Sequence, residues 1–213
     1  MKVKHYFTTP IMHEQTDAQT LCDHLHALIV SHMEEKNRIE KPPQSAHPDL
    51  FESNFDFLNW PQPEVQQLKS MMLKYLFGFL QEVNQFSREQ MAQLRFRFES
   101  WFHVARNGGY FQTHTHPNHA WSMVFCVNPG DEQPANDFEA GKMLLMDPRL
   151  NAAMYLDPAN KDMKREYSFN GLKLHYKKGT ILIFPSYLQH SVEPYRGEES
   201  RITVAANFSF FYQ

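Results

Sequence analysis

The chain has 213 residues, 42% hydrophobic and 21% charged, a globular balance that argues against an intrinsically disordered protein. A net charge of −3 gives no basic field for nucleic acid, and no apolar stretch approaches the ~20 residues that span a bilayer. Two cysteines, Cys22 and Cys126, are too few for a disulfide framework, so we expect buried thiols. Because no secretory segment opens the sequence either, we expect a cytoplasmic protein.

Two amphipathic helices are predicted in the first half of the chain. The first begins after Thr16 or Asp17 as its N-cap, and the Lys41-Pro42-Pro43 segment cannot continue it. The second begins near Pro61 or Pro63. Its apolar stripe, spaced by three and four residues, consists of Val65, Leu68, Met71, Met72, Tyr75, Leu76, Phe79, Leu80 and Val83. We expect this helix to pack on the sheet, although the stripe would also fit a homodimer.

The hydrophobic period changes to two residues at Leu94, which is typical of a strand. Turn residues then separate further strand-like runs at 111–116, 120–127, 141–146, 172–176, 180–185, 188–194 and 201–211. About eight short strands predict a mainly β, α+β fold: a jelly roll, or double-stranded β-helix, buttressed by N-terminal helices. We therefore expect one domain over 1–213, with a mainly helical region at 1–93 and the jelly-roll core at 94–213. The segments 128–140 and 148–170 are predicted to be functional loops.

Three of the twelve histidines are predicted to bind a metal ion. His114 and His116 are two residues apart on a predicted strand, so their side chains should project from the same face. His190 follows an apolar strand that ends at the mouth of the barrel, which brings a distant ligand to the same rim. Imidazole suits Fe, Zn, Cu or Ni, and three protein ligands leave coordination positions open for chemistry. The other histidines are interpreted as surface or core residues, with His119 at most beside the ligands.

Arg201 and Thr203 lie two residues apart on the last predicted strand, so a guanidinium and a hydroxyl should point into one cavity. A planar guanidinium binds a carboxylate with two parallel hydrogen bonds, and a hydroxyl can add another. An exposed arginine after the charged turn at 197–200 is the alternative. The order of H-x-H, a distal histidine and then this arginine favours the carboxylate site.

That order resembles the 2-oxoglutarate and Fe(II)-dependent oxygenase superfamily, and within it a branch of small oxygenases similar to the prolyl 4-hydroxylase group. The resemblance covers roughly residues 95–213, and its most specific part is the run G-x-x-L-I-F-P-S at 179–186, followed by His190 and by R-I-x-x-x-x-N from Arg201. It implies that His114 and His190 bind iron and that Arg201, with Thr203, binds 2-oxoglutarate. His116 stands where the superfamily usually has a carboxylate, and we keep it as a ligand.

The resemblance implies a dioxygenase that uses O₂ to hydroxylate a small-molecule or peptide substrate and releases succinate and CO₂. Catalysis would then involve His114, His116, His190 and Arg201. One alternative is a three-histidine cupin-type dioxygenase that does not use 2-oxoglutarate. Another is a jelly-roll binding module without catalysis. Specificity is expected in the loops, so the substrate stays open.

Overall fold

The fold is described from a computed structural model of the chain, which describes residues 2–39, 47, 50–132, 137, 139–149 and 151–212. Within these ranges the helices are α1 (Gln19–Ser31), α2 (Pro63–Val83) and α3 (Arg88–Gln93). The strands of the same ranges are β1 (Met12–Gln15), β2 (Phe51–Glu52), β3 (Leu94–Ala105), β4 (Phe111–His114), β5 (Trp121–Asn128), β6 (Met143–Leu145), β7 (Leu172–Leu174), β8 (Thr180–Pro185), β9 (His190–Val192) and β10 (Arg201–Tyr212).

The strands form two facing antiparallel sheets. The larger has the order β1-β8-β5-β10-β3-β2 and the smaller the order β4-β9-β6-β7. Strands that follow one another in the chain, such as β8 and β9, therefore cross between the sheets, as in a jelly roll. The predicted fold class is confirmed.

The helices cover the outer face of the larger sheet. The buried stripe of α2 runs from Val65 to Leu80 and joins one hydrophobic core with α1 and with sheet residues such as Phe102 and Phe125. Pro63 occupies the first turn of α2, where its missing N–H costs nothing. The expected packing of this helix on the sheet is thus confirmed. No helix in the described ranges has the length and apolar character needed to cross a membrane.

Several details differ from the sequence predictions. The N-cap of α1 is Ala18, because the Thr16 hydroxyl donates instead to the carbonyl of Gly179 and holds the end of β1. The short helix α3, which was not predicted, begins with a capping box in which Ser87 and Gln90 bond each other's backbone N–H groups. The Lys41-Pro42-Pro43 segment lies outside the described residues.

The first 93 residues contribute two unpredicted strands to the larger sheet. β1 pairs with β8 at one edge, and β2 pairs with β3 at the other. β1 is mostly exposed and β2 has only two residues, so neither leaves a periodic signal in the sequence. The mainly helical region thereby supplies both edges of the sheet, and one of these edges reaches the candidate site.

Candidate functional site

A cavity of about 330 Å³ opens between the two sheets. Its floor comes from the inner face of the larger sheet, through residues of β3, β5, β8 and β10. β4 and β9 of the smaller sheet and the loop after β4 close it from the other side. The five predicted site residues all line this cavity: His114, His116, His190, Arg201 and Thr203.

Strand pairing brings two of the histidines together. β4 and β9 are antiparallel, and His114 is directly opposite His190 in their register. Opposed residues in such a pair have Cα atoms only about 5 Å apart, and the two imidazole centroids are separated by 4.2 Å. Residues 76 positions apart in sequence therefore share one site.

His116 reaches the same point from outside the strand. β4 ends at His114, not at residue 116 as predicted, because the chain turns at Pro117 and at Asn118, which has a positive φ of 70°. The backbone N–H of His116 donates to the carbonyl of Ser186 at 3.0 Å, which fixes the loop. The ring centroid of His116 is 5.1 Å from that of His114 and 5.0 Å from that of His190.

The three imidazoles form the one cluster of at least three potential ligands among the described residues, with one ligand nitrogen from each within 4.8 Å of the others. Nδ1 of His114 donates to the carbonyl of Gln112 at 2.7 Å, and Nδ1 of His190 donates to that of Leu188 at 2.9 Å. These bonds assign the proton to Nδ1 in both rings and leave Nε2 with a lone pair. The arrangement suits a metal bound through imidazole nitrogen.

Burial keeps all three imidazoles neutral at physiological pH. Burial, together with the neighbouring His190 and His114, lowers the pKa of His116 to about 3. Burial and the proximity of His114 likewise lower the pKa of His190 to about 4, and burial lowers that of His114. A metal ion therefore does not have to displace protons from these rings at neutral pH.

Arg201 begins β10 and lines the same cavity. Its side chain is buried, with only 7% of the residue exposed, and Nη2 has no hydrogen-bond partner among the described residues. The guanidinium carbon is 5.4 Å from the centroid of the Tyr176 ring. Thr203 follows two residues later and is also buried. A buried guanidinium with a free N–H fits a carboxylate ligand that enters the cavity.

Polar residues that were not predicted also line the cavity. Glu52, on β2, is opposite His103 in the pairing of β2 with β3, and their side chains are 2.6 Å apart. Trp101 lies two residues before His103 on the same face of β3. His103 was interpreted as a surface or core histidine, yet it faces the cavity. The alternation Glu99, Trp101, His103 on β3 is a signal that could have found this wall.

A hydrogen-bonded network supports the loop that carries His116. The Ser122 hydroxyl bonds that of Ser186 at 2.8 Å and donates to Oδ1 of Asn207 at 2.7 Å, and all three residues are buried. Ser186 in turn accepts the His116 N–H through its carbonyl. His119 lies apart from the triad: its Nδ1 is 3.1 Å from the hydroxyl of Ser209.

Comparison with known families places about half of the chain in one of them. Residues 99–207, which are 109 of the 213 residues, match the model of the family described as "Putative 2OG-Fe(II) oxygenase". All five predicted site residues lie inside the matched range, whereas Glu52 lies outside it. Among curated proteins, none matches the chain.

Solved structures with the same fold include two prolyl hydroxylases. A Pseudomonas putida prolyl-4-hydroxylase is 14% identical, with a TM-score of 0.60 over 94% of this chain and 92% of the other. A Trichoplax adhaerens prolyl hydroxylase, in complex with a peptide fragment of hypoxia inducible factor, is 11% identical with a TM-score of 0.61 over 94% and 84%. HygX from Streptomyces hygroscopicus, with nickel and 2-oxoglutarate bound, is 11% identical with a TM-score of 0.60 over 95% and 83%.

Proposed function

Because this chain belongs to the 2OG-Fe(II) oxygenase family, we propose that it is a dioxygenase that hydroxylates its substrate with release of succinate and CO₂. The proposal depends on one observation: the histidine triad lies in the same cavity as the Arg201 guanidinium, whose Nη2 has no partner in the part of the chain that the structure describes. The family's cofactors are Fe(II) and 2-oxoglutarate, and both fit the residues present. Three neutral imidazoles suit the metal, and a buried arginine suits the dicarboxylate.

Each side chain has a separate task in this proposal. The Nε2 atoms of His114 and His190 and the imidazole of His116 bind the metal, and three ligands leave positions open for 2-oxoglutarate and O₂. Arg201 binds the far carboxylate of 2-oxoglutarate, with the Thr203 hydroxyl as a second donor. Bound iron and 2-oxoglutarate supply the oxidising chemistry, and the sheets keep the site dry around them.

The substrate class is proposed as a peptide or a small molecule. The Trichoplax relative in fold is in complex with a peptide fragment, and a structure of HygX contains hygromycin B. Both kinds of ligand are therefore compatible with this fold. The homodimer and the cytoplasmic location stay predictions, as does the absence of nucleic acid among the partners.

The decisive experiment is an anaerobic titration of 2-oxoglutarate into the Fe(II)-loaded protein, followed by visible absorption. Chelation of the metal by the keto acid gives a charge-transfer band, so we expect a saturable band. Glutarate, which has both carboxylates but no keto group, is the matched control and should compete without a band of its own. The Arg201→Ala variant should lose the band at concentrations that saturate the wild type.

Bound iron without a band would contradict the proposal. That result would favour the three-histidine cupin-type dioxygenase, because such an enzyme binds iron but gives Arg201 no dicarboxylate to hold. The replacement of the usual carboxylate by His116 is the observation that keeps this second candidate open. Absence of both iron binding and a band would favour the non-catalytic binding module.

A further inference from the structure

The wall of the cavity includes a buried carboxylate with an unused oxygen. Glu52 is only 4% exposed, and its Oε1 has no hydrogen-bond partner among the described residues. A buried carboxylate oxygen that has no hydrogen-bond partner loses a large part of its hydration free energy, and nothing in the protein compensates for that loss. Such groups in native proteins commonly serve a ligand, and Glu52 lines the same cavity as the histidine triad.

The other oxygen of Glu52 is satisfied by the protein. Nε2 of His103 is 2.6 Å from Oε2 of Glu52 and 2.8 Å from Nε1 of Trp101. The indole N–H of Trp101 is the donor to Nε2 of His103, and the same ring nitrogen contacts the carboxylate of Glu52. The contact with His103 holds the Glu52 side chain in place, and Oε1 has no partner within the described part of the chain.

The strand register separates Glu52 from the arginine. On the cavity face, Arg201 of β10 is opposite Ala105 of β3, and Thr203 is opposite His103, beside which Glu52 lies on β2. Glu52 is therefore displaced from Arg201 in two directions. Along the strands the displacement is two residues, or about 7 Å, and across the sheet it is two strand spacings of about 5 Å each. The two opposite charges occupy different parts of the cavity wall.

The charges of the cavity wall favour a cation on the side of Glu52. Among the described lining residues, Arg201 is the single lysine or arginine, and the acids are Glu52 and Glu99. In the proposed function a carboxylate of 2-oxoglutarate neutralises Arg201. On the side of Glu52 the charged protein groups that line the cavity are then acidic, and an anion there would be repelled by this carboxylate in a site of low dielectric constant.

Aromatic rings complete this part of the cavity. Phe55 and Trp101 both line it, with ring centroids 5.0 Å apart. Phe55 is 42% exposed and stands at the entrance, whereas Trp101 is buried. An aromatic face next to a carboxylate binds protonated amines and guanidinium groups, because the ring quadrupole and the carboxylate attract the same charge.

We propose that the substrate carries a protonated amine or a guanidinium group, which Glu52 binds while the reacting carbon faces the metal. This inference rests on the proposed function, and it identifies Glu52 as a specificity-determining residue. There is a competing explanation. The metal site has one negative charge fewer because His116 stands where the superfamily usually has a carboxylate, and Glu52 would supply that charge without binding the metal itself. The two explanations predict different effects of the same substitution.

The test uses four small probes of one carbon skeleton: butylammonium, butylguanidinium, 1-butanol and butyrate. The full chain is loaded with Zn(II), which is diamagnetic, and with 2-oxoglutarate, and dissociation constants are measured by ligand-observed NMR. We expect the two cations to bind at least about tenfold more tightly than 1-butanol, and butyrate to bind weakest. Glu52→Gln, which keeps the shape and removes the charge, should abolish this preference. Glu14→Gln, on the exposed β1, is the matched control and should leave the ranking unchanged.

Three outcomes would overturn the inference. They are equal binding of 1-butanol and the cations, a preference that survives in Glu52→Gln, and no binding of cations by a protein that binds 2-oxoglutarate normally. A Glu52→Gln variant that loses metal or 2-oxoglutarate affinity but keeps the cation preference would support the charge-replacement explanation instead. If this variant does not fold, the wild-type ranking and Glu52→Asp decide.

The same samples separate this inference from the proposed function. Binding of 2-oxoglutarate is measured by calorimetry before the probes are added. Failure of 2-oxoglutarate to bind, with the cation preference intact, would overturn the proposed function and leave the role of Glu52 in binding cations.

Discussion

Replacing Arg201 with methionine should weaken 2-oxoglutarate binding and leave the ligand-free fold intact or more stable. Methionine has a similar length and no charge, so it fills most of the space without leaving a large cavity. Within the described residues the buried guanidinium has no hydrogen-bond partner for Nη2, which costs about 1–3 kcal/mol when no ligand is bound. The contact with the Tyr176 ring offsets about 1 kcal/mol of that cost. Removal of Arg201 should therefore change the free energy of unfolding by about 0 to +2 kcal/mol.

The loss of ligand affinity should be much larger. Truncation of one partner of a buried, hydrogen-bonded charge pair costs about 2–5 kcal/mol, which corresponds to a dissociation constant raised about 30- to 5,000-fold. Arg201→Lys is the matched control, because lysine keeps the charge but cannot form two parallel hydrogen bonds. We expect its dissociation constant to lie between those of the wild type and Arg201→Met.

Thermal unfolding measures both effects in one assay. Without ligand, Arg201→Met should melt at the wild-type temperature or up to about 6 °C above it. With 2-oxoglutarate at about 100 times its wild-type dissociation constant, the wild type should gain about 2.7 kcal/mol and the variant about 0.9 kcal/mol or less. On addition of ligand, the difference by which the variant melts above the wild type should therefore shrink to nothing or change sign. A ligand-free variant that melts well below the wild type, or that gains as much from 2-oxoglutarate, would refute the assigned role of Arg201.

Three further predictions concern the histidines and the cysteines. His190→Ala should lower metal affinity more than about 100-fold in equilibrium dialysis. His13→Ala, on the exposed β1, is the control and should retain a full metal equivalent. Retention of a full metal equivalent by His190→Ala would exclude the triad. The ligand-free protein should lose stability to urea as the pH falls from about 6.5 towards 4. In this range His116 and His190 take up protons in the unfolded chain but not in the native protein. A double variant, His116→Gln with His190→Gln, that shows the same pH dependence would contradict this prediction. Burial raises the pKa of Cys22 to about 11 and that of Cys126 to about 12, so a thiol reagent at pH 8 should modify both after unfolding and neither in the native protein.

The parts of the fold that sequence could predict are those with a local period. The α2 stripe and the alternation from Leu94 each repeat within a short window, so the helix and the strand follow from one segment alone. The turns at Gly130 and Gly179 were also predictable, and both glycines have the positive φ that such turns require. Short elements lack a period, which is why the two-residue β2 was missed.

The residues proposed to bind the metal and the co-substrate were predictable for a related reason. His114 and His116 are close in sequence, and Arg201 and Thr203 alternate on one strand, so each pair is visible without knowledge of the tertiary structure. Strand pairing then adds His190. The prediction was wrong in one respect, because His116 lies in the loop after β4 and not on the strand.

Glu52 itself could not be predicted in the same way. Glu52 comes from an edge strand whose position depends on pairing with β3, 51 residues away from His103 along the chain. It also lies outside the matched range of 99–207. A metal and a co-substrate shared across the family can be bound by residues within that range, whereas a substrate particular to this protein needs side chains of its own. In the inference above Glu52 is such a side chain, and its strand pairs with β3 and, within the described residues, with none of the strands that carry the triad or Arg201.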